Sequence, residues 1–582
     1  MDDRTSLAIR IRQLIFHMQL NLHTIQRIII HYLNIISGIA CLLVTVLLTI
    51  DFGFKLHENI TALFIAFHTY LLVYFLVDFL IRILFEKRRL RYILIRPTDL
   101  LTLYPISSYF SFITISHSFF LSQVALLLIM FGRLAHINHF LNQLKLKPPQ
   151  MFLFAFLFTI FLGSLLLSLP LSVSTYNIAY IDALFTSFSA ICVTGLSVVD
   201  IGTVFSRFGQ CVILILIQIG GLGIMTFSIL FGSMMQRKFS HAASSEFQES
   251  YNTYNLSETF SAIKFIFKLT FIIEFLGAVF LFLNWHKDFS SYNEAIFYSI
   301  FHSISAFCNA GFSLFTNNAM AYQSHLGVIS SLAILIFLGG LGFPVIFNLV
   351  QFNRLRHKGG VLKLHTKLAL VMTGILLILG TLFIYLSERQ MALASFSEWQ
   401  KLFIAFFHSV SARTAGFNSI DISQFQTPTL VFMMILMMIG ASPGSTGGGL
   451  KTTTVGIMLM SFWQTLKLSR RVVLYGRTID WESIQKTFSI LILALLVLFV
   501  FLIALLWVEP FSFIEILFET VSALGTVGFS LGITPLLSLP GKWLIMLLML
   551  IGRLGVLTIA FALSRQKSIS SYQYPKERII IT

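Results

Sequence analysis

The chain carries four copies of one short pattern, and the last copy reads Phe518-Glu-Thr-Val-Ser-Ala-Leu-Gly-Thr-Val-Gly528-Phe529. In each copy a phenylalanine is followed by a serine–alanine pair and then by a glycine. The glycine comes ten residues after the phenylalanine, or nine in the third copy. The other copies are Phe185-Thr-Ser-Phe-Ser-Ala-Ile-Cys-Val-Thr-Gly195, Phe301-His-Ser-Ile-Ser-Ala-Phe-Cys-Asn-Ala-Gly311 and Phe407-His-Ser-Val-Ser-Ala-Arg-Thr-Ala-Gly416. The glycines recur at intervals of 116, 105 and 112 residues, which predicts one structural unit used four times.

The composition around these copies excludes a water-soluble fold. Of the 582 residues, 57% are hydrophobic and only 11% are charged, whereas an average soluble domain has about 25% charged residues. A bilayer core about 30 Å thick needs roughly 20 apolar residues per helix. Twelve candidate spans meet this need: 32–51, 60–85, 97–114, 118–139, 151–172, 206–234, 262–284, 325–350, 367–387, 428–462, 486–508 and 541–563.

The net charge of +16 has a topological origin. Basic residues lie before the first span, after every even-numbered span and at the C-terminal end, whereas the intervening loops carry almost none. The clusters are Arg10 to Arg27, Lys87 to Arg96, Lys145 and Lys147, Arg237 and Lys238, Arg354 to Lys363, Lys467 to Arg477, and Lys567 to Arg578. Because basic loops stay in the cytoplasm, we expect both termini there, in a multi-pass plasma membrane protein surrounded by lipid. A nucleic-acid partner is excluded.

The predicted fold class is therefore an all-α membrane protein with about twelve transmembrane helices. Four spans form an N-terminal module over residues 1–145. Residues 146–582 form a pore domain of four membrane–pore helix–membrane repeats, at about 150–240, 260–360, 365–475 and 480–565. The four short apolar segments lie between the two spans of each repeat.

A glycine turn at membrane depth restricts what surrounds it. Irregular backbone there is tolerated only where its carbonyl groups line a cavity, and four such turns around one axis would form an oxygen-lined filter for a cation, as in potassium channels. The alternative is a set of simple re-entrant helix breaks. The candidate K⁺ filter residues are Val193, Thr194, Gly195, Cys308, Asn309, Ala310, Gly311, Thr414, Ala415, Gly416, Gly525, Thr526, Val527 and Gly528.

From about residue 150 to the end, the chain resembles the Trk/Ktr/HKT superfamily of potassium transporters, and most of all its Ktr-type membrane subunit. Besides the four glycine segments, the resemblance lies in residues 218–223, 339–343, 364–367, 442–451 and 574–578. It implies a four-repeat pore in one subunit, a homodimer, K⁺ as the transported ion, and a cytoplasmic KtrA-like partner that binds nucleotides. In some relatives a serine at the first filter glycine admits Na⁺, so Gly195 favours K⁺.

The tenth span is interrupted by Gly440-Ala-Ser-Pro-Gly-Ser-Thr-Gly-Gly-Gly449, which is too rich in glycine and hydroxyl residues for an ordinary helix. The resemblance implies that this stretch is an intramembrane loop that obstructs the pore. The alternative is a cytoplasmic loop between two short helices. The candidate gate residues are Ser442, Gly444, Ser445, Thr446, Gly447, Gly448 and Gly449.

Arg553 lies within the last span, where an arginine is costly unless it faces water or a partner. We expect it to be a positive charge just below the filter that limits ion occupancy. The alternative is a structural pair with Glu519 or Glu274.

Several other polar residues lie near the glycine segments. Arg413 is expected to brace its own segment, and His302 and His408 to pack in the fold. Asp200 and Asp421 either attract cations at the outer mouth or are solvated loop charges.

The N-terminal module resembles a voltage-sensor domain in its acidic and basic residues, Asp78, Arg82 and the cluster that follows. Its fourth span departs from that pattern, because Arg133 is followed at three-residue spacing by His136 and His139. A modulatory role and a purely scaffolding role both remain open, with scaffolding favoured.

The leading function is K⁺ transport down its gradient. The alternatives are a Na⁺-permeable or Na⁺-coupled transporter of the same superfamily and an alternating-access transporter, which usually has inverted repeats. The sequence shows no catalytic constellation, so an enzyme is not expected.

Overall fold

The part of the chain that the structure describes is predominantly helical. The computed structural model describes residues 148–174, 178–223, 256–355, 362–469 and 471–563, together with 58–85 and scattered positions within 29–47 and 123–129. The predicted span 97–114, much of 118–139, and Arg133, His136 and His139 lie outside the described residues.

From residue 148 onward the helices come in groups of three, which we call the leading, short and trailing helices of each group. The first group is Pro148–Leu167, Tyr180–Cys192 and Arg207–Leu222; the second is Leu256–Trp285, Tyr292–Phe307 and Leu326–Leu341. The third is Leu364–Glu388, Glu398–Ser411 and Thr427–Met438; the fourth is Trp481–Val508, Phe513–Gly525 and Leu539–Leu554. Further helices are Ile201–Val204, Phe343–Leu355, Thr452–Leu466 and Val556–Leu563, with single 3₁₀ turns at Pro170–Ser172, His286–Asp288, Met320–Tyr322, Ile422–Gln424 and Thr534–Leu536.

Local sequence fixes where two of the four short helices begin. In the fourth group, the Ser512 hydroxyl accepts a hydrogen bond from the Glu515 amide, while the Glu515 carboxylate accepts one from the Ser512 amide. Ser397 and Gln400 form the same capping box in the third group. Such a box satisfies amide groups that the first helical turn leaves without partners.

Three of the four trailing helices end at glycines with a positive φ angle. Gly223, Gly342 and Gly555 have φ values of 80°, 88° and 84°, a conformation that glycine adopts without steric cost. At Gly342 the chain turns by 91° into Phe343–Leu355. The continuous spans predicted over 325–350 and 541–563 are wrong in this respect, because each helix breaks at its glycine.

Among the described residues, four helices are long enough and apolar enough to cross a membrane: Ala66–Leu84, Ile263–Asp288, Leu364–Glu388 and Trp481–Val508. The pair bent at Gly342 makes a fifth if it counts as one span. The count of twelve spans and the N-terminal four-helix bundle stay predictions.

Within the N-terminal part, one helix spans Glu58–Phe85, close to the predicted span 60–85. The Asp78 carboxylate and the Arg82 guanidinium form a buried ion pair one turn apart on it, with Nε and Oδ1 separated by 3.0 Å. Residues Ala40, Cys41, Val44, Leu72, Phe75, Ala125, Leu126 and Ile129 pack together as a separate small core.

The main core surrounds the four short helices. The phenylalanine that opens each sequence pattern is completely buried in all four copies: Phe185, Phe301, Phe407 and Phe518. Leading helices, by contrast, expose large apolar side chains such as Trp507, which is 88% exposed. This division places the short helices and their glycine segments at the centre and an apolar surface outside.

The third trailing helix is interrupted as the sequence predicts. It ends at Met438 and is followed by an irregular stretch, residues 439–451, which we call the interrupting loop, and then by helix Thr452–Leu466. Beyond it, strands Val473–Leu474 and Arg477–Thr478 form a small antiparallel hairpin. Leu474 of this hairpin packs against Leu368, Met372 and Val455.

Candidate functional site

Each short helix ends in a three-residue turn of the same conformation. The residue two before the glycine has a positive φ in all four copies, and the glycine itself does too. A non-glycine residue pays about 1–3 kcal/mol for such a conformation, and two of these residues are threonines and one is a valine. The φ angles are 55° at Val193, 57° at Asn309, 73° at Thr414 and 51° at Thr526, followed by 89°, 72°, 70° and 93° at Gly195, Gly311, Gly416 and Gly528.

The serine of the Ser–Ala pair holds each turn in place. In the first and fourth copies it accepts a hydrogen bond from the glycine amide: Ser189 from Gly195 at 3.0 Å and Ser522 from Gly528 at 3.1 Å. In the second and third copies the serine hydroxyl donates to the carbonyl group after the glycine: Ser305 to Phe312 at 2.7 Å and Ser411 to Phe417 at 2.6 Å. The serine in the repeated pattern therefore has a structural role at all four positions.

The four turns meet in a closed ring. A methyl group added to Gly311 would lie 2.7 Å from the carbonyl oxygen of Ala415 and 3.2 Å from the Cα atom of Gly416. A methyl group added to any of the other three glycines would likewise collide with the next turn. The contacts would be Gly195 with Ala310 and Gly311, Gly416 with Val527 and Gly528, and Gly528 with Thr194 and Gly195. The order of contacts is therefore first, second, third, fourth and back to first.

Two candidate residues have close contacts outside this ring. The Cys308 thiol lies 3.7 Å from the Gln218 side-chain oxygen and 3.9 Å from Glu274 Oε1, behind the second turn. A methyl group on Gly525 would lie 2.6 Å from the Met437 carbonyl oxygen. Gly525 thus permits close packing of the fourth short helix on the third trailing helix.

The interrupting loop lies directly against the ring. Atoms added at the Cα of Gly447 and Gly448 would collide with the hydroxyl groups of Thr414 and Thr526, which belong to the third and fourth turns. Ser442 and Thr446 are fully buried. The alternative of a cytoplasmic loop does not fit this geometry, because the loop is buried against the third and fourth turns.

Hydrogen bonds attach the interrupting loop to the second group. The Ser442 amide donates to the Gly340 carbonyl at 3.0 Å, and the Phe343 amide donates to the Gly444 carbonyl at 3.0 Å. The Thr446 hydroxyl donates to the Phe307 carbonyl at 3.2 Å. Ser445 is different, because its hydroxyl oxygen is buried without a hydrogen-bond partner among the described residues. Gly449, two residues before the end of the loop, has a φ of 67°.

Arg553 joins this loop to the opposite side of the ring. Its guanidinium donates one hydrogen bond to the Thr446 carbonyl and another to the Gly220 carbonyl in the first trailing helix. The alternative of a structural pair with Glu519 or Glu274 is wrong for the described residues, because both guanidinium contacts are with backbone carbonyls. Arg553 therefore lies between the interrupting loop and the first trailing helix, where it contacts backbone carbonyls.

The other polar candidates have structural partners. Arg413 extends towards the third leading helix, where its guanidinium lies 3.4 Å from the Thr373 hydroxyl. The carboxylates of Asp200 and Asp421 accept hydrogen bonds from backbone amides and begin one helical turn each. Both aspartates therefore cap local structure.

The two histidines pack within the fold. His302 Nε2 lies 3.0 Å from the Ser313 hydroxyl and its ring packs on Phe315. The His408 ring lies against Phe425 and Phe529.

Some residues of the site were missed in the sequence. Lys451 donates to the Gly447 carbonyl at 2.7 Å, and the glycine breaks at Gly223, Gly342 and Gly555 set the ends of the trailing helices. A signal for the breaks was present, since Gly220-Gly-Leu-Gly223, Gly339-Gly-Leu-Gly342 and Gly552-Arg-Leu-Gly555 are alignable with one another. In this alignment Arg553 replaces a glycine.

Comparison with known proteins identifies the family. A family profile described as "TrkH: Cation transport protein" matches residues 117–572. The chain belongs to this family. The match begins before residue 150, where the motifs placed the start of the resemblance, and it includes the predicted fourth span.

Two curated relatives and one solved structure extend this result. The chain is 38% identical to the Ktr system potassium uptake protein B of Vibrio alginolyticus over 443 residues, which is 75% of this chain and 96% of that protein. It is 37% identical to the potassium/sodium uptake protein NtpJ of Enterococcus hirae, over 75% of this chain and 98% of that protein. The crystal structure of the potassium transporter TrkH from Vibrio parahaemolyticus has the same fold, with a TM-score of 0.60, 18% identity, and coverage of 82% of this chain and 97% of that one. The resemblance to the Trk/Ktr/HKT superfamily is confirmed, and the chain is a multi-pass membrane protein.

Proposed function

We propose that this protein carries K⁺ across the cell membrane through the ring of four glycine turns. The observation that carries the proposal is the closed cycle of backbone contacts among Gly195, Gly311, Gly416 and Gly528. Turns arranged in this way bring backbone carbonyl groups from four sides towards one axis, where they can replace the water lost by a dehydrated cation. The names of the two relatives, potassium uptake protein B and potassium/sodium uptake protein, support K⁺ as the ion.

The interrupting loop and Arg553 form the gate in this proposal. Loop residues Gly447 and Gly448 abut the third and fourth turns, so an ion leaving the ring inward meets backbone atoms. Arg553 adds a positive charge beside them, and like charges in a region of low dielectric repel strongly. Conduction therefore requires the loop to move away from the ring.

Ion flux into liposomes that contain the purified protein tests the selectivity part of the proposal. We expect K⁺ flux well above Na⁺ flux in the wild type, and a loss of this preference in Gly195→Ser and Gly528→Ser. Both glycines have φ angles near 90° and no room for a Cβ atom. Unchanged selectivity in both variants would refute the ring as the filter.

A second candidate function is Na⁺-permeable or Na⁺-coupled cation transport, favoured by the name of the Enterococcus hirae relative. Dependence of K⁺ flux on external Na⁺, measured in the same liposomes, separates the two. The homodimer, the KtrA-like nucleotide-binding partner and the cytoplasmic termini are further proposals, and they rest on the family resemblance and on the basic loops.

A further inference from the structure

Lys451 is the last residue of the interrupting loop, and its side chain turns back onto it. Its ammonium group donates a hydrogen bond to the Gly447 carbonyl at 2.7 Å and lies 3.5 Å from the Gly448 carbonyl. Those two glycines are the residues that abut Thr414 and Thr526 of the ring. Lys451 therefore holds the part of the loop that lies closest to the proposed ion path.

The position of Lys451 is electrostatically unfavourable. It is the N-cap residue of helix Thr452–Leu466, a site where residues such as serine and aspartate stabilise a helix. The helix dipole places a partial positive charge at this end, which repels a cation. The Arg553 guanidinium holds the Thr446 carbonyl, next in the chain to the Gly447 carbonyl that Lys451 holds, so two like charges lie on the same stretch of the loop.

The contacts to the loop offset these repulsions. Arg553 donates to the Thr446 carbonyl, and Lys451 holds the next two carbonyls, those of Gly447 and Gly448. Three consecutive loop carbonyls are thus occupied by two cations. Hydrogen bonds from a charged donor are stronger than neutral ones, and here they keep a glycine-rich segment with many accessible conformations in one arrangement.

We propose that Lys451 is a positioning residue that latches the interrupting loop in its obstructing conformation. Release of the Gly447 carbonyl by the Lys451 ammonium is then a step in opening. The repulsion from Arg553 and from the helix dipole offsets part of the free energy of these hydrogen bonds. A small change in the free energy of the loop is then enough to open the latch. This inference rests on the proposed function in that the loop is taken to obstruct an ion path.

The first test compares ion flux through full-length variants in liposomes. Lys451→Met removes the charge and the donors but keeps the side-chain length, and we expect its basal K⁺ flux to rise roughly tenfold, as follows from losing one hydrogen bond of a charged donor. Lys451→Arg keeps both charge and donors and should restore flux to near the wild-type value. The ratio of K⁺ to Na⁺ flux should stay unchanged, since the glycine turns are intact.

Lys363→Met is the matched control. Lys363 is also the N-cap residue of a helix, Leu364–Glu388, and its side chain is exposed. The same change of charge at the same kind of helix position should therefore leave basal flux as it is. A Lys451→Met protein that melts at the wild-type temperature and conducts no more than the wild type overturns the latch.

A second measurement decides the question independently of flux. In a Ser445→Cys background, the rate of labelling by a small membrane-permeant thiol reagent reports access to the loop, with the parent chain giving the background from its native cysteines. We expect faster labelling when Lys451→Met is added. An equal labelling rate with and without Lys451→Met refutes the latch, even if the protein conducts. Faster labelling with Lys451→Met, together with a wild type that shows no selective flux, refutes only the proposed function.

Discussion

Lys542 Nζ lies 2.6 Å from Asp182 Oδ1, and this ion pair joins the start of the fourth trailing helix to the start of the first short helix. The two residues are 360 positions apart in sequence. Both side chains are largely shielded, with 14% and 19% of their surface exposed. The contact closes the ring of repeats at the ends of the helices, as the contact between Gly528 and Thr194 closes it at the turns.

A double-mutant cycle with Lys542→Met and Asp182→Asn should measure this closure. We expect a coupling free energy of about 1 kcal/mol in the unfolding of the detergent-solubilised protein, at the upper end for an ion pair because of its partial burial. The exposed pair Arg389 and Glu398, with a 3.2 Å separation, serves as the control and should couple less. Equal coupling in the two cycles would contradict a special role for the closing pair.

The ring itself predicts a strong effect of a single methyl group. Gly311→Ala places a Cβ atom 2.7 Å from the Ala415 carbonyl oxygen and requires a φ of 72°, which costs an alanine about 1–2 kcal/mol. The ring must widen or distort, so we expect K⁺ flux to fall at least about tenfold and selectivity to weaken.

Gly374→Ala is the control for this substitution. Gly374 lies in the third leading helix, its φ is not positive, and a methyl group added there would meet no atom within 4 Å. The same change at this position should leave flux intact and stabilise the helix by about 0.5–1 kcal/mol. Equal loss of flux in both variants would show that the Gly311 effect is not specific to the ring.

The sequence predicted the repeated elements better than the contacts between them. The four glycine turns and the interruption near Gly440 are visible as local composition, because glycine, serine and proline disfavour a continuous apolar helix. The breaks at Gly342 and Gly555 were missed, since the apolar run continues beyond each glycine and hydropathy does not register a φ angle.

Contacts that depend on the closed ring could not be predicted from the sequence. Nothing in the local pattern around Asp182 indicates Lys542 as its partner, and the role of Lys451 depends on where a glycine-rich segment folds back. Arg553 was identified because a charge inside an apolar span is conspicuous. The carbonyl groups that accept its hydrogen bonds could not be identified, because backbone carbonyls carry no sequence signature.

We expect removal of the Arg553 charge to increase basal ion flux. Arg553→Gln removes the positive charge while keeping a donor for the Thr446 or Gly220 carbonyl, so we expect basal K⁺ flux in liposomes to rise, by roughly tenfold for the loss of about 1.4 kcal/mol of repulsion. Arg553→Lys keeps the charge and should conduct like the wild type. A decrease in flux for Arg553→Gln, with normal thermal stability, would argue that the guanidinium supports the open loop instead.

We expect two uncharged substitutions of Glu274 to differ in their effect on the free energy of unfolding. This carboxyl group is 5% exposed and lies in the second leading helix, where it accepts a hydrogen bond from the Gln218 amide at 3.2 Å and contacts the Cys308 thiol behind the second turn. Glu274→Gln retains an acceptor oxygen and removes any cost of a buried charge, so the free energy of unfolding should change by less than about 0.5 kcal/mol. Glu274→Leu leaves the Gln218 amide without its acceptor, and we expect a loss of about 1–3 kcal/mol. Thermal unfolding in detergent measures both, and a stable Glu274→Leu protein would mean that Gln218 finds another acceptor and that the cluster does not support the turn.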